Sequence, residues 1–323
     1  MEEKGAVCVT GGTGYIASWL IKRLLEHGYT VRATVRSDPS KKDMDYLTNL
    51  PRAKEKLQIF IAYLSIPESF GEAINGCTGV FLLAHPTNSE EPEEVVAKTT
   101  IQATLGILRA CLNSKTVKRV VYTSSVAAVL NVRDREINVV DENIWSDVDY
   151  IRELKLDESS YSALKILVEK TALDFAEKNG LDLVTLLPSL VFGPFLAPQI
   201  PWTVTMALSM ILGLKDLYHF LSYPLVHVDD VASAHIFLLE YSNARGRYIC
   251  SAEHKSVLEI AEFLSATYPE YPTPTLDELQ DINARVLPCL SSKKLLDAGF
   301  KYNYGMREMF DDAIQCCKTK GLL

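Results

Sequence analysis

The feature that most constrains this chain is a glycine-rich turn near its beginning, Gly11-Gly12-Thr13-Gly14-Tyr15-Ile16-Ala17. An apolar run at residues 6–10 precedes it and an amphipathic segment at residues 19–25 follows, which predicts a strand, a tight turn and a helix. Such a turn gathers backbone N–H groups at a helix N-terminus, and glycine lets a pyrophosphate approach them. We therefore predict a dinucleotide site here, with these contacts: Gly11, Gly14, Tyr15 and Ile16. The spacing is Gly-x-x-Gly-x-x-Ala rather than the usual Gly-x-Gly-x-x-Gly, so a strand-to-helix turn without a nucleotide is the alternative.

Composition limits the possible partners. The chain has 323 residues, 48% of them hydrophobic, enough for one large domain or two ordinary ones. A formal net charge of −8 gives no support for nucleic-acid or anionic-membrane binding, so we expect a small-molecule ligand. We see no leader sequence and no apolar run of membrane-spanning length. The seven cysteines show no Cys-x-x-Cys spacing. This absence is typical of reduced thiols, so we expect a cytoplasmic protein.

Apolar runs alternate with helical patterns through the first part of the chain. The predicted strands after the turn are residues 29–36, 57–63, 80–84, 119–123 and 183–188. This rhythm predicts an α/β protein with a Rossmann-type, doubly wound parallel sheet. Beyond Pro188, prolines and glycines interrupt this alternation of strand and helix patterns. We therefore predict an NADP-binding Rossmann domain at 1–190, to which 226–241 return, and a smaller, mainly substrate-binding lobe at 191–323 that includes a strand at 247–250.

Arg36 ends the second predicted strand. In a dinucleotide fold this position faces the adenine ribose, where an acid accepts the 2′-hydroxyl of NAD and a cation pairs with the 2′-phosphate of NADP. Arg36 therefore favours NADP. An arginine that merely begins a solvated loop is the alternative.

Three residues form a candidate catalytic set. Ser125 follows the fifth strand at the sheet edge where doubly wound folds bind ligands. Tyr161 and Lys165 are four residues apart on a predicted helix and so share a face. We predict that Ser125 hydrogen-bonds the substrate oxygen, that Tyr161 exchanges the proton, and that Lys165 lowers the pKa of Tyr161. An exposed tyrosine beside a solvated lysine is the commoner meaning of that spacing.

Several motifs together resemble the extended short-chain dehydrogenase/reductases: Thr10-Gly11-Gly12-Thr13-Gly14, Thr123-Ser124-Ser125, Tyr161-x-x-x-Lys165, Leu187-Pro188-Ser189-Leu190-Val191-Phe192-Gly193-Pro194 and His227-Val228-Asp229-Asp230. Within that family the chain resembles the plant dihydroflavonol-4-reductase-like group and its vestitone reductase-like members. The resemblance implies NADPH, reduction of a ketone on a phenolic plant metabolite, and a Ser125-Tyr161-Lys165 triad. It also implies cofactor contacts at Tyr161, Lys165, Pro188 and Val191, and contacts of Arg36 and Lys42 with the 2′-phosphate.

Some positions depart from the group's pattern: Ala17, Tyr63, His85, Leu164 and residues 154–160. They surround the predicted adenine and substrate sites and leave the triad intact, so we predict an oxidoreductase with a diverged substrate. His85 is either an added acid/base group or, as we prefer, a packed loop histidine. The histidines show no metal-ligand spacing, and we predict no metal site.

Three alternatives to carbonyl reduction stay open. One is the reverse reaction, oxidation of an alcohol or lactol of an alkaloid-like substrate. Another is a nucleotide-sugar epimerase or dehydratase, and the third is a catalytically silent NADPH-binding sensor. We expect a monomer or weak dimer.

Overall fold

The computed structural model describes residues 4–36, 44–86, 92–134, 136–154, 159–215, 221–275, 278–279 and 285–323. Its strands are β1 (Ala6–Val9), β2 (Thr30–Val35), β3 (Leu57–Ile61), β4 (Gly79–Leu82), β5 (Arg119–Thr123), β6 (Val139–Val140), β7 (Leu183–Pro188), β8 (Leu190–Phe192), β9 (Ser222–His227), β10 (Gly246–Cys250), β11 (Glu253–Ser256) and β12 (Cys289–Leu290). Seven of them form a parallel sheet in the order β10-β7-β5-β4-β1-β2-β3. The strand order reverses between β1 and β4, which opens a crevice at the carboxyl ends of these strands.

Helices cover both faces of this sheet. They are α1 (Tyr15–Glu26), α2 (Asp45–Thr48), α3 (Ala53–Lys56), α4 (Gly71–Ile74), α5 (Glu93–Ser114), α6 (Ala127–Leu130), α7 (Val148–Leu154), α8 (Ser159–Asn179), α9 (Trp202–Ala207), α10 (Ser209–Leu212), α11 (Val228–Glu240), α12 (Val257–Thr267), α13 (Lys293–Asp297) and α14 (Met306–Thr319). Alternate strand residues point to opposite faces, so Val7 and Val9 pack with α1 and α11 while Cys8 packs with α5 and α8. The predicted Rossmann-type fold is confirmed.

The later part of the chain builds a second hydrophobic cluster beside the large sheet. Strands β8, β9 and β11 form a small mixed sheet, and α9, α10, α12 and α14 pack around it. Our placement of the strand at 247–250 in this lobe is wrong: β10 pairs in parallel with β7 and forms an edge of the large sheet. Because a short apolar strand can pair with any free edge, its neighbour is decided by tertiary packing.

Helix α5 is long and apolar enough to cross a membrane by length and composition, which we did not expect from the sequence. Its apolar side, with Ile107, Leu108 and Cys111, lies in the core on the α8 face of the sheet. Of its most apolar 18 residues, 33% are buried inside the structure, so one side of α5 packs in the core.

Residues 136–154 cross the sheet edge near β7 and β10. Trp145 is their partly buried anchor, and the Arg247 guanidinium lies 3.6 Å from its ring centroid. Arg247 also donates to the carbonyls of Glu142 and Ile144, both at 2.8 Å. This segment is therefore fixed to the sheet by a buried cation on β10.

Candidate active site

The glycine-rich turn has the geometry of a phosphate cradle. Gly11 has a φ of +71°, and a Cβ at this position would lie 3.0 Å from the Cα of Ala84. The Gly12 amide donates to the Thr34 carbonyl at 2.8 Å, which holds the turn against the end of β2. Gly14 precedes α1 in an extended conformation, and no side chain caps the helix. The N-terminus of α1 therefore offers its amides to a ligand, and the turn fits the pyrophosphate of a dinucleotide.

A cavity of about 1250 Å³ runs from this turn along the carboxyl ends of the strands. Its lining includes almost every predicted site residue that the structure describes: Gly11, Gly14, Tyr15, Ile16, Ser125, Tyr161, Lys165, Pro188 and Val191. Ser189 also lines it, and its buried hydroxyl has no hydrogen-bond partner among the described residues. One continuous cavity thus joins the phosphate cradle to the candidate catalytic residues, and it leaves an unpaired hydroxyl for a polar ligand group.

Ser125 and Tyr161 are joined directly. The Ser125 hydroxyl oxygen accepts from the Ala127 amide at 3.2 Å, and the hydroxyl hydrogen-bonds the Tyr161 oxygen. The Tyr161 ring is 45% exposed and lines the cavity. Desolvation by the surrounding protein raises the pKa of Tyr161, and the hydrogen bond from Ser125 opposes this rise. At neutral pH Tyr161 is therefore a protonated group facing the cavity.

Lys165 lies beneath these two residues. It is only 5% exposed, and its Nζ donates to the Thr123 carbonyl at 3.1 Å and lies 5.8 Å from the centroid of the Tyr161 ring. Burial lowers the pKa of Lys165 to about 8, and the negative charge of Glu169 opposes this shift. We predicted that Lys165 lowers the pKa of Tyr161; the structure shows that pKa raised, with Ser125 as the opposing group.

Behind the triad lies a buried carboxylate that sequence reasoning missed. Glu169 is fully buried, one helical turn after Lys165. It accepts from Ser124 at 2.6 Å, from Thr185 at 2.7 Å and from the Arg247 Nε at 3.0 Å. A signal was present in the sequence, because an acid four residues after Lys165 shares the helix face that points to the sheet. Glu169 links the neighbour of Ser125 to the helix that carries Lys165.

His85 lies beside the reacting groups. Its ring centroid is 5.7 Å from that of Tyr161, its Nδ1 is 2.8 Å from the Pro86 carbonyl oxygen, and its Nε2 has no partner among the described residues. Burial, together with the charge of Lys165, lowers the pKa of His85 to about 3. The imidazole is therefore neutral at neutral pH, and it donates from Nδ1 to the carbonyl. This agrees with a packed histidine better than with a proton donor.

The remaining predicted positions differ in their relation to the cavity. Arg36 is exposed after β2 and is not part of the cavity lining, and Lys42 is outside the described residues. Ala17 is buried next to the turn, packs in the core and also lines the cavity. Tyr63 does not line the cavity. Among the described residues, no group of three or more His, Cys, Asp or Glu side chains could hold a metal ion.

Comparison with known proteins places this site in a family. The model of the NAD dependent epimerase/dehydratase family matches residues 7–250. The chain belongs to this family. It is 52% identical over 326 residues to vestitone reductase of Medicago sativa, spanning 100% of this chain and 99% of that protein. The crystal structure of that reductase superposes with a TM-score of 0.91 at 50% identity, covering 99% of this chain and 100% of that one.

Two further relatives match the present chain over its full length. Noscapine synthase SDR1 of Papaver somniferum is 49% identical, and the match covers 100% of this chain and 95% of the relative. A dihydroflavonol 4-reductase of Arabidopsis thaliana is 45% identical, with 100% and 85% covered. The predicted resemblance to the dihydroflavonol-4-reductase-like group is confirmed.

Proposed function

We propose that this protein is an NADPH-dependent oxidoreductase that transfers a hydride to the carbonyl group of an aromatic plant ketone. The observation that carries the proposal is the placement of Ser125, Tyr161 and Lys165 around one cavity that also contains the glycine cradle. Relatives named as reductases of vestitone and dihydroflavonol, which match along the whole chain, support the same reaction.

The cofactor would be held along the carboxyl edge of the sheet. The turn at Gly11, Gly14, Tyr15 and Ile16 would bind the pyrophosphate, Pro188 and Val191 would lie against the nicotinamide, and Arg36 and Lys42 would meet the 2′-phosphate. NADPH supplies the hydride when bound. The donors around Ser125 and Tyr161 then stabilise the charge that develops on the carbonyl oxygen.

Each member of the triad contributes differently to the proposed reaction. Ser125 hydrogen-bonds the substrate oxygen and orients it toward Tyr161. Tyr161 is protonated at neutral pH, since local desolvation only raises the pKa of its hydroxyl further, and it gives its proton to that oxygen. Lys165 keeps a positive charge under the Tyr161 ring, which favours the tyrosinate left after proton transfer, and it would hydrogen-bond the nicotinamide ribose.

Aromatic substrates suit the lining of the cavity. Apolar side chains dominate it, and the Trp202 side chain, 61% exposed, adds an aromatic surface. The relation to noscapine synthase favours a second candidate, oxidation of an alcohol or lactol of an alkaloid-like substrate. The same residues serve that direction, with tyrosinate as the base. We further propose a cytoplasmic monomer or weak dimer.

Turnover assays with a tyrosine variant test this proposal. We expect purified protein to oxidise NADPH with flavanone or isoflavanone ketones, and Tyr161→Phe to abolish turnover while NADPH binding by calorimetry is retained. Tyr63→Phe is the matched control, because Tyr63 does not line the cavity. NADP⁺ reduction by a lactol or alcohol, without ketone reduction, would replace the proposal by its second candidate. NADPH binding without any turnover would contradict an enzyme and favour the sensor.

Cofactor choice has its own test. We expect Arg36→Asp to weaken NADPH binding more than NADH binding, because only NADPH carries the 2′-phosphate. Lys54→Asp, on the exposed side of α3, is the control for a general change in surface charge. Equal effects of Arg36→Asp on both cofactors would contradict the 2′-phosphate role.

A further inference from the structure

One charged side chain in the cavity has no task in the reaction proposed above. Three Asp, Glu, Lys or Arg side chains line the described part of the cavity: Glu93, Lys165 and Arg285. Glu93 accepts from the Ser160 hydroxyl at 2.9 Å and pairs with Arg152 at 3.6 Å. Lys165 belongs to the triad. Arg285 is left as a cation among mostly apolar surfaces.

The guanidinium of Arg285 is held by one neutral oxygen. Its Nη1 donates to the Asn131 Oδ1 at 3.2 Å, and no carboxylate of the described chain lies within ion-pair distance. Asn131 is itself 8% exposed, and its backbone N–H donates to the Ser146 hydroxyl oxygen at 2.9 Å. A guanidinium has five N–H donors, so most of the donors of Arg285 are left for other partners.

The fold sets the position of Arg285 relative to the triad. The chain from Ser125 to Asn131 runs through α6, beginning with the Ala128 amide donating to the Ser125 carbonyl at 3.0 Å. At 1.5 Å per residue this segment advances about 9 Å, which is comparable to the length of a two-ring aromatic molecule. Buried Leu287 and Ile151 line the same part of the cavity. A substrate that presents its carbonyl to Ser125 and Tyr161 and lies along this segment would place its far end near Arg285.

We propose that Arg285 binds an acidic oxygen, a carboxylate or an ionised phenol, at the end of the substrate remote from the reacting carbonyl. This inference rests on the proposed function and adds a substrate class to it. An arginine fork matches a carboxylate in geometry and charge, and a nearby cation also favours ionisation of a phenol. The surrounding apolar wall strengthens such a pair because it excludes water.

A matched set of substrates and variants tests the proposal. The substrates are three flavanones that are identical except for hydrogen, hydroxyl or carboxylate at the 4′ position, and a second set substituted at the 7 position. The variants are Arg285→Met, Arg285→Lys and the control Arg133→Met. Arg133 is an exposed arginine near Asn131 that pairs with Asp147 and Glu153 outside the cavity.

We expect Arg285→Met to raise KM for the carboxylate of one set about 10- to 100-fold, the range for a hydrogen bond to a charged group, with kcat little changed. Arg285→Lys should restore part of the loss, and Arg133→Met should change nothing. A larger effect on the hydroxyl than on the carboxylate compound would identify the phenol as the acidic group. Equal changes of KM for substituted and unsubstituted flavanones would overturn the proposal. They would indicate that Arg285 only holds Asn131 in place through their hydrogen bond.

Binding separates this inference from the proposed function. Calorimetry of the NADP⁺-loaded protein with the same flavanones measures the contact with Arg285 even when no ketone is reduced. A loss of affinity in Arg285→Met that is confined to acidic compounds would support the subsite even if the reductase proposal failed. Affinities that do not depend on the acidic group in wild type would overturn it.

Discussion

Replacing Glu169 by glutamine removes the negative member of the buried pair with Arg247 and keeps the size of the side chain. The carboxylate is fully buried and accepts hydrogen bonds from Ser124, Thr185 and the Arg247 Nε at 2.6, 2.7 and 3.0 Å. The glutamine amide keeps one acceptor oxygen, but its NH2 group, a donor, would replace the other oxygen near the Arg247 guanidinium, which is also a donor. We therefore expect Glu169→Gln to leave the Arg247 charge buried and uncompensated.

The expected loss follows from that geometry. Removing one partner of a buried ion pair lowers the free energy of unfolding by about 3–5 kcal/mol, a large part of the 5–15 kcal/mol of a typical protein. Glutamine retains part of the network, so we expect about 3 kcal/mol. Thr185→Val is the matched control, because it removes one hydrogen bond to the same carboxylate and no charge; about 1 kcal/mol is expected.

Two measurements check this reasoning. Urea unfolding gives the loss of stability for both variants. The pH dependence of kcat then reports on Lys165, whose pKa burial lowers to about 8 against the opposing charge of Glu169. Without that charge the pKa of Lys165 falls further, so the alkaline limb of the profile should move to lower pH in Glu169→Gln and stay in place in Thr185→Val. Unchanged stability, or an alkaline limb shared with wild type, would refute the role of the buried charge.

Three further outcomes follow from the described geometry. Gly11→Ala should weaken NADPH binding at least about tenfold in calorimetry, because φ is +71° and the new Cβ would lie 3.0 Å from the Cα of Ala84; Gly180→Ala, with φ +66° and open space around it, controls for backbone strain alone. His85→Asn should leave the pH dependence of kcat between pH 5 and 8 unchanged, because burial lowers the pKa of His85 to about 3, and a limb lost from that range would contradict this. Burial lowers the pKa of His235 to about 4, so only the unfolded chain takes up its proton as the pH falls below about 6.5; the loss of unfolding free energy between pH 7 and pH 5, measured by urea unfolding, should be about 2 kcal/mol smaller in His235→Gln than in wild type.

Local patterns in the sequence predict most of the large sheet and the triad. The apolar runs at β5 and β7 have the bounds expected, because strands buried on both faces leave little ambiguity in their apolar pattern. Helical spacing likewise places Tyr161 and Lys165 on one face of α8. The predicted cavity residues meet because parallel strands end at one edge of the sheet.

The features that the sequence did not predict depend on tertiary contacts. Nothing in the five residues of β10 indicates that its neighbour is β7, and nothing in Lys165 itself indicates that its ammonium donates to the Thr123 carbonyl. In the sequence Glu169 resembles a solvent-exposed helix acid. Its ion pair with Arg247 depends on the pairing of β10 with β7. Pairings between residues far apart in sequence determine these contacts, and a single sequence does not identify the partners.

The edge position of β10 matters for synthesis of the chain. On the ribosome β7 emerges well before β10, so the edge of β7 that pairs with β10 lacks its partner until residue 250 has left the exit tunnel. During that interval Glu169 lacks the guanidinium that neutralises it in the finished protein. We expect the nucleotide-binding half to mature only after most of the chain has been made, and fragments ending near residue 190 to require chaperones to remain in solution.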